Sequence, residues 1–186
     1  MSNLTDFFGG NGQTRKMTVL TSGTSWSVPA NLVDGLVSVT MIGGGQAQRY
    51  VSISDWTAGQ GGSVVTEYLL AVTAGGSVSY AIGAAGTGVI AAAGSSTTFG
   101  AITAVGGGIT ASPYKAVGAR GGISTVGSTN GQIGAGKYGC YGRVSGGGGI
   151  MLGGTFYGTG GGAGAATAQY QPTAGAIYLQ WVEQIA

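Results

Sequence analysis

The chain has 186 residues, 42 of them glycine where the usual ~7 % would give about 13, and 6 % charged against a typical ~25 %. With 43 % apolar residues and a mean hydropathy of +0.30, it lacks the highly charged, apolar-poor signature of disorder. Its net charge of +2 comes from seven scattered cations, only Arg15 and Lys16 being adjacent, which excludes the many-phosphate footprint of a nucleic-acid binder.

Residues 1–16 read as a polar N-terminal arm carrying one aromatic pair, Phe7 and Phe8. Either this is a frayed terminus, or Gly9, Gly10 and Gly12 supply a hinge and the pair is the candidate anchor to a partner. The first 13 residues lack the basic and apolar regions of a secretion signal. No apolar run approaches the ~18 residues that span a bilayer. A soluble protein without membrane insertion, assembled in a cytoplasm, is the expectation. Cys140 is the sole cysteine, so no intrachain disulfide can form.

From residue 17 to 105 the pattern is β. Thr24, Trp26 and Val28 alternate with Ser25 and Ser27 until Pro29 ends the run. Residues 36–42 (LVSVTMI) form a strand stopped by Gly43-Gly44-Gly45. Residues 64–72 and 78–82 flank Thr73-Ala74-Gly75-Gly76, which predicts a hairpin. Shorter strands are expected at 97–99 and 102–105. No segment carries a glycine-free helical stripe.

Residues 106–164 are a glycine-rich block. Some glycines recur every third residue (Gly136, Gly139, Gly142; Gly158, Gly161, Gly164), a spacing that suits polyproline-II-like chains, which must pair laterally. Irregular loops explain the same composition. Residues 176–182 then alternate again, with Ile177, Leu179 and Trp181 on one face, and the partner expected is the 24–42 region. The fold predicted is all-β, an antiparallel β-sandwich, jelly-roll-like, in one domain over 17–186. Residues 106–164 form its glycine-rich loop or polyproline-II-like insertion.

Chemistry is scarce. With no histidine, the commonest general base and the Ser-His-Asp and Cys-His arrangements are gone. The five carboxylates show no catalytic spacing, with Asp34, Asp55 and Glu67 read as separate surface acids. Residues 131–137 (GQIGAGK) match a phosphate-binding loop up to the lysine, but Tyr138 stands where Ser or Thr would hold magnesium, and no hydrophobic strand precedes. No enzyme, cofactor or metal is expected. The aromatic residues of the block and its flank (Tyr114, Tyr138, Tyr141, Phe156, Tyr157 and Tyr170) are the candidate receptor contacts, since tyrosine among glycine and serine makes adaptable binding loops. The same rings could instead fill space between glycine-rich backbones.

Several phrases occur together in one order. Residues 26–32 (WSVPANL) lead into 37–45 (VSVTMIGGG). Glu67-Tyr68-Leu69 with Val72-Thr73-Ala74-Gly75, then 78–86 (VSYAIGAAG), 95–99 (SSTTF) and 175–182 (GAIYLQWV) follow. This series resembles bacteriophage glycine-rich tail and tail-fibre proteins, whose pattern runs from a W-x-V-P-A phrase through a glycine run to a closing tryptophan strand. The resemblance implies a virion-associated tail protein, homo-oligomeric and commonly trimeric, which binds other tail proteins and a bacterial surface receptor, either a glycan or an outer-membrane protein. Phe7 and Phe8 would then serve virion attachment. A purely structural connector or decoration protein is the alternative.

Overall fold

A computed structural model describes residues 12–47, 49–52, 55–57, 59–88, 92–108, 128–129, 150–152, 155–158 and 171–185. The strands in chain order are β1 (Gln13–Leu20), β2 (Ser25–Ser27), β3 (Leu36–Ile42), β4 (Arg49–Ser52), β5 (Asp55–Thr57), β6 (Val64–Ala71) and β7 (Ser77–Ala81). They continue with β8 (Thr97–Phe99), β9 (Ile102–Ala104), β10 (Ser128–Thr129), β11 (Ile150–Leu152), β12 (Thr155–Tyr157) and β13 (Ala176–Gln184). All described regular structure is β, in two main antiparallel sheets ordered β1-β13-β3-β6-β10 and β2-β7-β8-β9, with the hairpins β4-β5 and β11-β12 apart from them.

The two sheets pack as a sandwich, and alternation decides what lies between them. Val37, Val39 and Met41 of β3 and Ile177 and Leu179 of β13 are fully buried, with Val39 opposite Leu179 and Met41 opposite Ile177 in register. From the second sheet, Trp26 meets Trp181 edge-on with ring centroids 5.4 Å apart and lies 6.0 Å from Phe99, so one indole ties the sheets together. Strand β6 faces this core with Val65, Tyr68 and Leu70, a spacing that breaks the period of two. A bulge restores the phase: the register shifts between Val39 and Met41, Glu67 adopts φ of 50°, and its N–H donates to Thr40 Oγ1 at 3.0 Å.

Two expectations change. First, Gly76 N–H donates to Thr73 O at 3.0 Å, so residues 73–76 do turn, but β6 and β7 belong to different sheets and do not pair. The turn carries the chain across the sandwich base instead of closing a hairpin, because β6 is already bonded to β3 and β7 to β2. Second, β1 takes in Gln13–Lys16, residues read above as arm, which pair with Gln184–Trp181 of the closing strand. That strand therefore lies between β1 and β3, with the 36–42 part of its expected partner on one side.

Beyond the ends of β3, β6, β7, β8, β9 and β13, on one side of the sandwich, extended segments continue without strand structure. They cover residues 43–47, 59–63, 82–86, 92–96, 105–107 and 173–175. The middle one, 43–47, shows how they are held. Gly43 N–H donates to Ser63 O, Gly44 to Ser95 O and Gly45 to Thr173 O; Gln46 then returns to Gln60 O and Ala47 to Ala92 O, all within 2.8–3.1 Å. A β-strand's donors alternate between two sides, and a helix bonds to itself. Donors that visit three neighbours and repeat at the fourth residue define three residues per turn, the polyproline-II geometry with lateral hydrogen bonds. Acceptors are used as well, Gly44 O by Gly107 N–H and Gly45 O by Gly86 N–H, so five segments surround the central one.

Such segments pack closer than β-carbons permit. A Cβ on Gly44 would strike the Ala84 carbonyl, and one on Gly94 the Gly44 carbonyl, nearer than real Cβ atoms come to anything. Thr97 splices this lattice to the sandwich. Fully buried, its Oγ1 accepts from Gly83 N–H at 3.0 Å and donates to Ile42 O at 2.7 Å. Thr97→Val keeps the shape but strips a buried N–H of its acceptor, which predicts a loss of about 1–3 kcal/mol in urea denaturation, with Thr97→Ser close to wild type.

Candidate functional site

The lattice fixes where the rest of the chain can go. Strand β3 enters it through Gly43 and the chain leaves after Ala47; it returns at Gly59 and runs down into β6. Strand β7 enters through Gly83, leaves past Gly86 and returns at Ala92 toward β8. Strand β9 enters through Val105, leaves past Gly107, and the chain is back at Thr173 on its way to β13. Each departure and return lies at the lattice end away from the sandwich. The chain therefore leaves and re-enters the lattice at one end for all three excursions, 48–58, 87–91 and 108–172. The opposite end, the base, holds the 73–76 turn, the end of β13 and Gly12, whose carbonyl accepts from Ile185 N–H.

The longest excursion is stitched back at two described points. Ser128 and Thr129 pair with Val65 and Val64 at the head of β6. Gly158, with φ of 65°, donates to Ala174 O and accepts from Gly62 N–H, each at a distance of 2.8–2.9 Å. Both anchor points sit where lattice and sandwich meet.

At its far rim the lattice offers little chemistry of its own. Gln46 and Gln60, both buried, close it through the backbone bond already given and through Gln60 N–H to Gln46 Oε1 at 3.1 Å. No charged residue occurs in any of the lattice segments. Among the described residues no three His, Cys, Asp or Glu side chains come together as a metal site. Nor is any described helix long and apolar enough to cross a membrane.

Of the candidate contacts, Tyr114, Tyr138, Tyr141 and Tyr170 lie outside the described residues, as do Phe7 and Phe8, Cys140 and the 131–137 loop. Phe156 and Tyr157 stand in β12, where Phe156 is opposite Met151 in register. Tyr157 is half-buried and adjoins Gly158, so it is placed at the lattice floor rather than at a tip. Asp34, Asp55 and Glu67 fall in a turn with φ of 62°, in β5 and in the β6 bulge respectively, which are separate elements.

One pair was missed from the sequence. In the 48–58 excursion, β4 and β5 form a hairpin that sets Tyr50 directly opposite Trp56, flanked by Arg49 opposite Thr57. The alternation of RYVS and DWT was the available signal; it was obscured because the segment interrupts a glycine-rich run. Comparison with protein-family models and with curated proteins found no match.

Proposed function

We propose that this chain is a virion protein of a phage tail fibre or tail tip that contacts the host cell surface through the excursions at the far end of its glycine lattice. The observation that carries the reading is the polarity of the fold. Three excursions leave a neutral, inert lattice at one end, while the arm-bearing base lies at the other. A scaffold tied laterally by backbone hydrogen bonds holds loops at fixed separations and leaves their sequences unconstrained, as a surface-recognition module requires. Tyr138 and Tyr141 of the long excursion and Tyr50 and Trp56 of the short hairpin are the proposed anchors, rigid amphipathic rings suited to sugars or to the loops of an outer-membrane protein. The base, with Phe7 and Phe8, faces the rest of the particle. The protein works without catalysis or cofactor and as a homo-oligomer, a trimer in this reading.

The test is binding of the purified, fluorescently labelled protein to candidate host cells, with its mass measured by light scattering. Saturable binding that unlabelled protein competes away is expected. An oligomer that ignores every host capable of adsorbing the parent particle would rule out receptor contact and leave a structural connector or decoration protein.

A further inference from the structure

Three residues per turn point three N–H and three C=O groups outwards, so a fully surrounded lattice segment has six neighbours, alternately taking and giving hydrogen bonds. Around 43–47 five are in place. Their mutual bonds give the order 59–63, 105–107, 92–96, 82–86 and 173–175: Ser63 N–H donates to Val105 O, Gly94 to Gly107 O, Ser95 to Ala84 O and Gly175 to Gly83 O. The first, third and fifth accept from 43–47, and the second and fourth donate to it through Gly107 and Gly86. The alternation calls for a sixth segment, a donor, in the slot between 173–175 and 59–63.

Two observations bear on what fills this slot. Gly44 O and Gly45 O face the two donors, so Gly43 O faces the slot, where it is buried and accepts from no described residue. A buried carbonyl left unpaired is unfavourable, so a donor belongs there. Gly158 already stands at the foot of the slot and bridges its two walls. It accepts from Gly62 N–H at 2.9 Å and donates to Ala174 O at 2.8 Å, and a Cβ on it would run into the Gly43 carbonyl.

We infer that residues 159–163 (TGGGA) run up this slot from Gly158 as the sixth lattice segment and supply the donor to Gly43 O. The length fits. Four steps along 43–47 span about 12 Å at ~3.1 Å per residue, and five residues beyond Gly158 span about 15 Å. The chain has to climb from the foot to the far end in any case, because 171–175 descends from there into β13. Thr159 is the largest side chain in the run, as packing against glycine backbones requires. The rival run SGGGG at 145–149 would have to leave through the foot, which Gly158 fills, to reach Ile150 opposite Tyr157. Filling the slot closes the ring around 43–47 and splits the longest excursion. Residues 164–170 then form a separate short loop that carries Tyr170 to the far end, whatever that end contacts.

Amide hydrogen exchange on the intact wild-type chain, read residue by residue, tests the placement without substitution. In the slot, successive N–H groups point to 173–175, to 43–47 and to solvent. Two of every three amides over 159–163 should therefore exchange at least about 100-fold more slowly than in an unstructured chain. Unprotected exchange throughout 159–163 would overturn the assignment. So would protection that vanishes on dilution to a monomer, which would give the slot to a second copy's segment. Alanine substitutions identify the occupant. Gly160→Ala, Gly161→Ala and Gly162→Ala turn their Cβ atoms in three directions, at least two of which meet lattice backbone. Two or more of them should lower the melting midpoint by about 5 °C or more, whereas Gly146→Ala, Gly147→Ala and Gly148→Ala should each stay within about 2 °C of wild type. The reverse pattern would place 145–149 in the slot, and no loss in either series would leave it unfilled; both outcomes refute the proposal. Where a glycine variant fails to fold, the exchange pattern of the wild type still decides.

Discussion

Gly44→Ala should cost about 4 kcal/mol or more, enough to leave little folded protein in a domain of ordinary stability, about 5–15 kcal/mol. The added Cβ would occupy the position of the Ala84 carbonyl. That atom is backbone, so it cannot swing aside as a side-chain end could. The segments must part, and the bonds from Gly44 N–H to Ser95 O and from Gly107 N–H to Gly44 O go with them. Each buried group left unpaired costs about 1–3 kcal/mol. Two further glycines separate this effect from backbone strain and from composition. At Gly88 a Cβ meets nothing, but φ is 77°, so alanine there should cost about 1–2 kcal/mol. At Gly108 space is open and φ is not positive, so alanine should fall within about 0.5 kcal/mol of wild type. Urea denaturation of the three variants gives the ranking. If Gly44→Ala unfolds no more easily than Gly88→Ala, the segments do not lie in contact and the lattice description fails.

The ranking also bears on why such a lattice exists only as an extension of the sandwich. A lateral hydrogen bond contributes about 0.5–1.5 kcal/mol net, and fixing one residue's backbone costs about 1–2 kcal/mol, glycine's most of all. The two nearly cancel, so the segments have little stability of their own. Strand ends that already emerge in register supply the alignment: β3 and β6 are antiparallel, and 43–47 and 59–63 continue as the same antiparallel pair. The Thr97 hydroxyl couples the two layers at their junction. Lattice and sandwich should therefore unfold in one transition.

Much of the sandwich is legible in the sequence, because alternation reports burial. Val37, Val39 and Met41 in LVSVTMI and Ile177 and Leu179 in AIYLQWV stand two apart, and with Trp26 of SWS they are buried between the sheets. The β6 bulge is harder to read, since VVTEYLL runs apolar residues together and only the phase of Val65 against Tyr68 betrays an extra residue. The three-residue geometry was expected in 106–164, where glycines recur at intervals of three. Most of that block lies outside the described residues; among the described ones the geometry is shown by the GGGQA stub, against which GQGGS, IGAAG and Gly107 of the block are bonded. No single stub is long enough to show a period; the repeat becomes visible only when the stubs lie side by side. The glycines at their strand-proximal ends, where a strand stops and no turn begins, were the local sign.

The candidate contacts are less legible, since a tyrosine in a glycine-rich loop and a tyrosine packed against glycine-rich backbone have the same sequence. Position separates them, and so does substitution. Alanine at Tyr50, Trp56, Tyr138 and Tyr141 together should abolish saturable binding to host cells while leaving the unfolding midpoint within a few degrees of wild type, as rings that serve contact rather than packing require. Tyr157→Ala should behave in the opposite way. That ring is half-buried beside Gly158, whose backbone joins Gly62 to Ala174, so its loss should lower stability by about 1–3 kcal/mol and leave binding per folded molecule unchanged. Cell-binding isotherms and thermal melts on the same preparations decide the matter. If the fourfold variant adsorbs as wild type does, the rings are not the contacts. If Tyr157→Ala abolishes binding with its melt unchanged, the contact surface reaches down to the lattice floor, and β11-β12 rather than the tips becomes its centre.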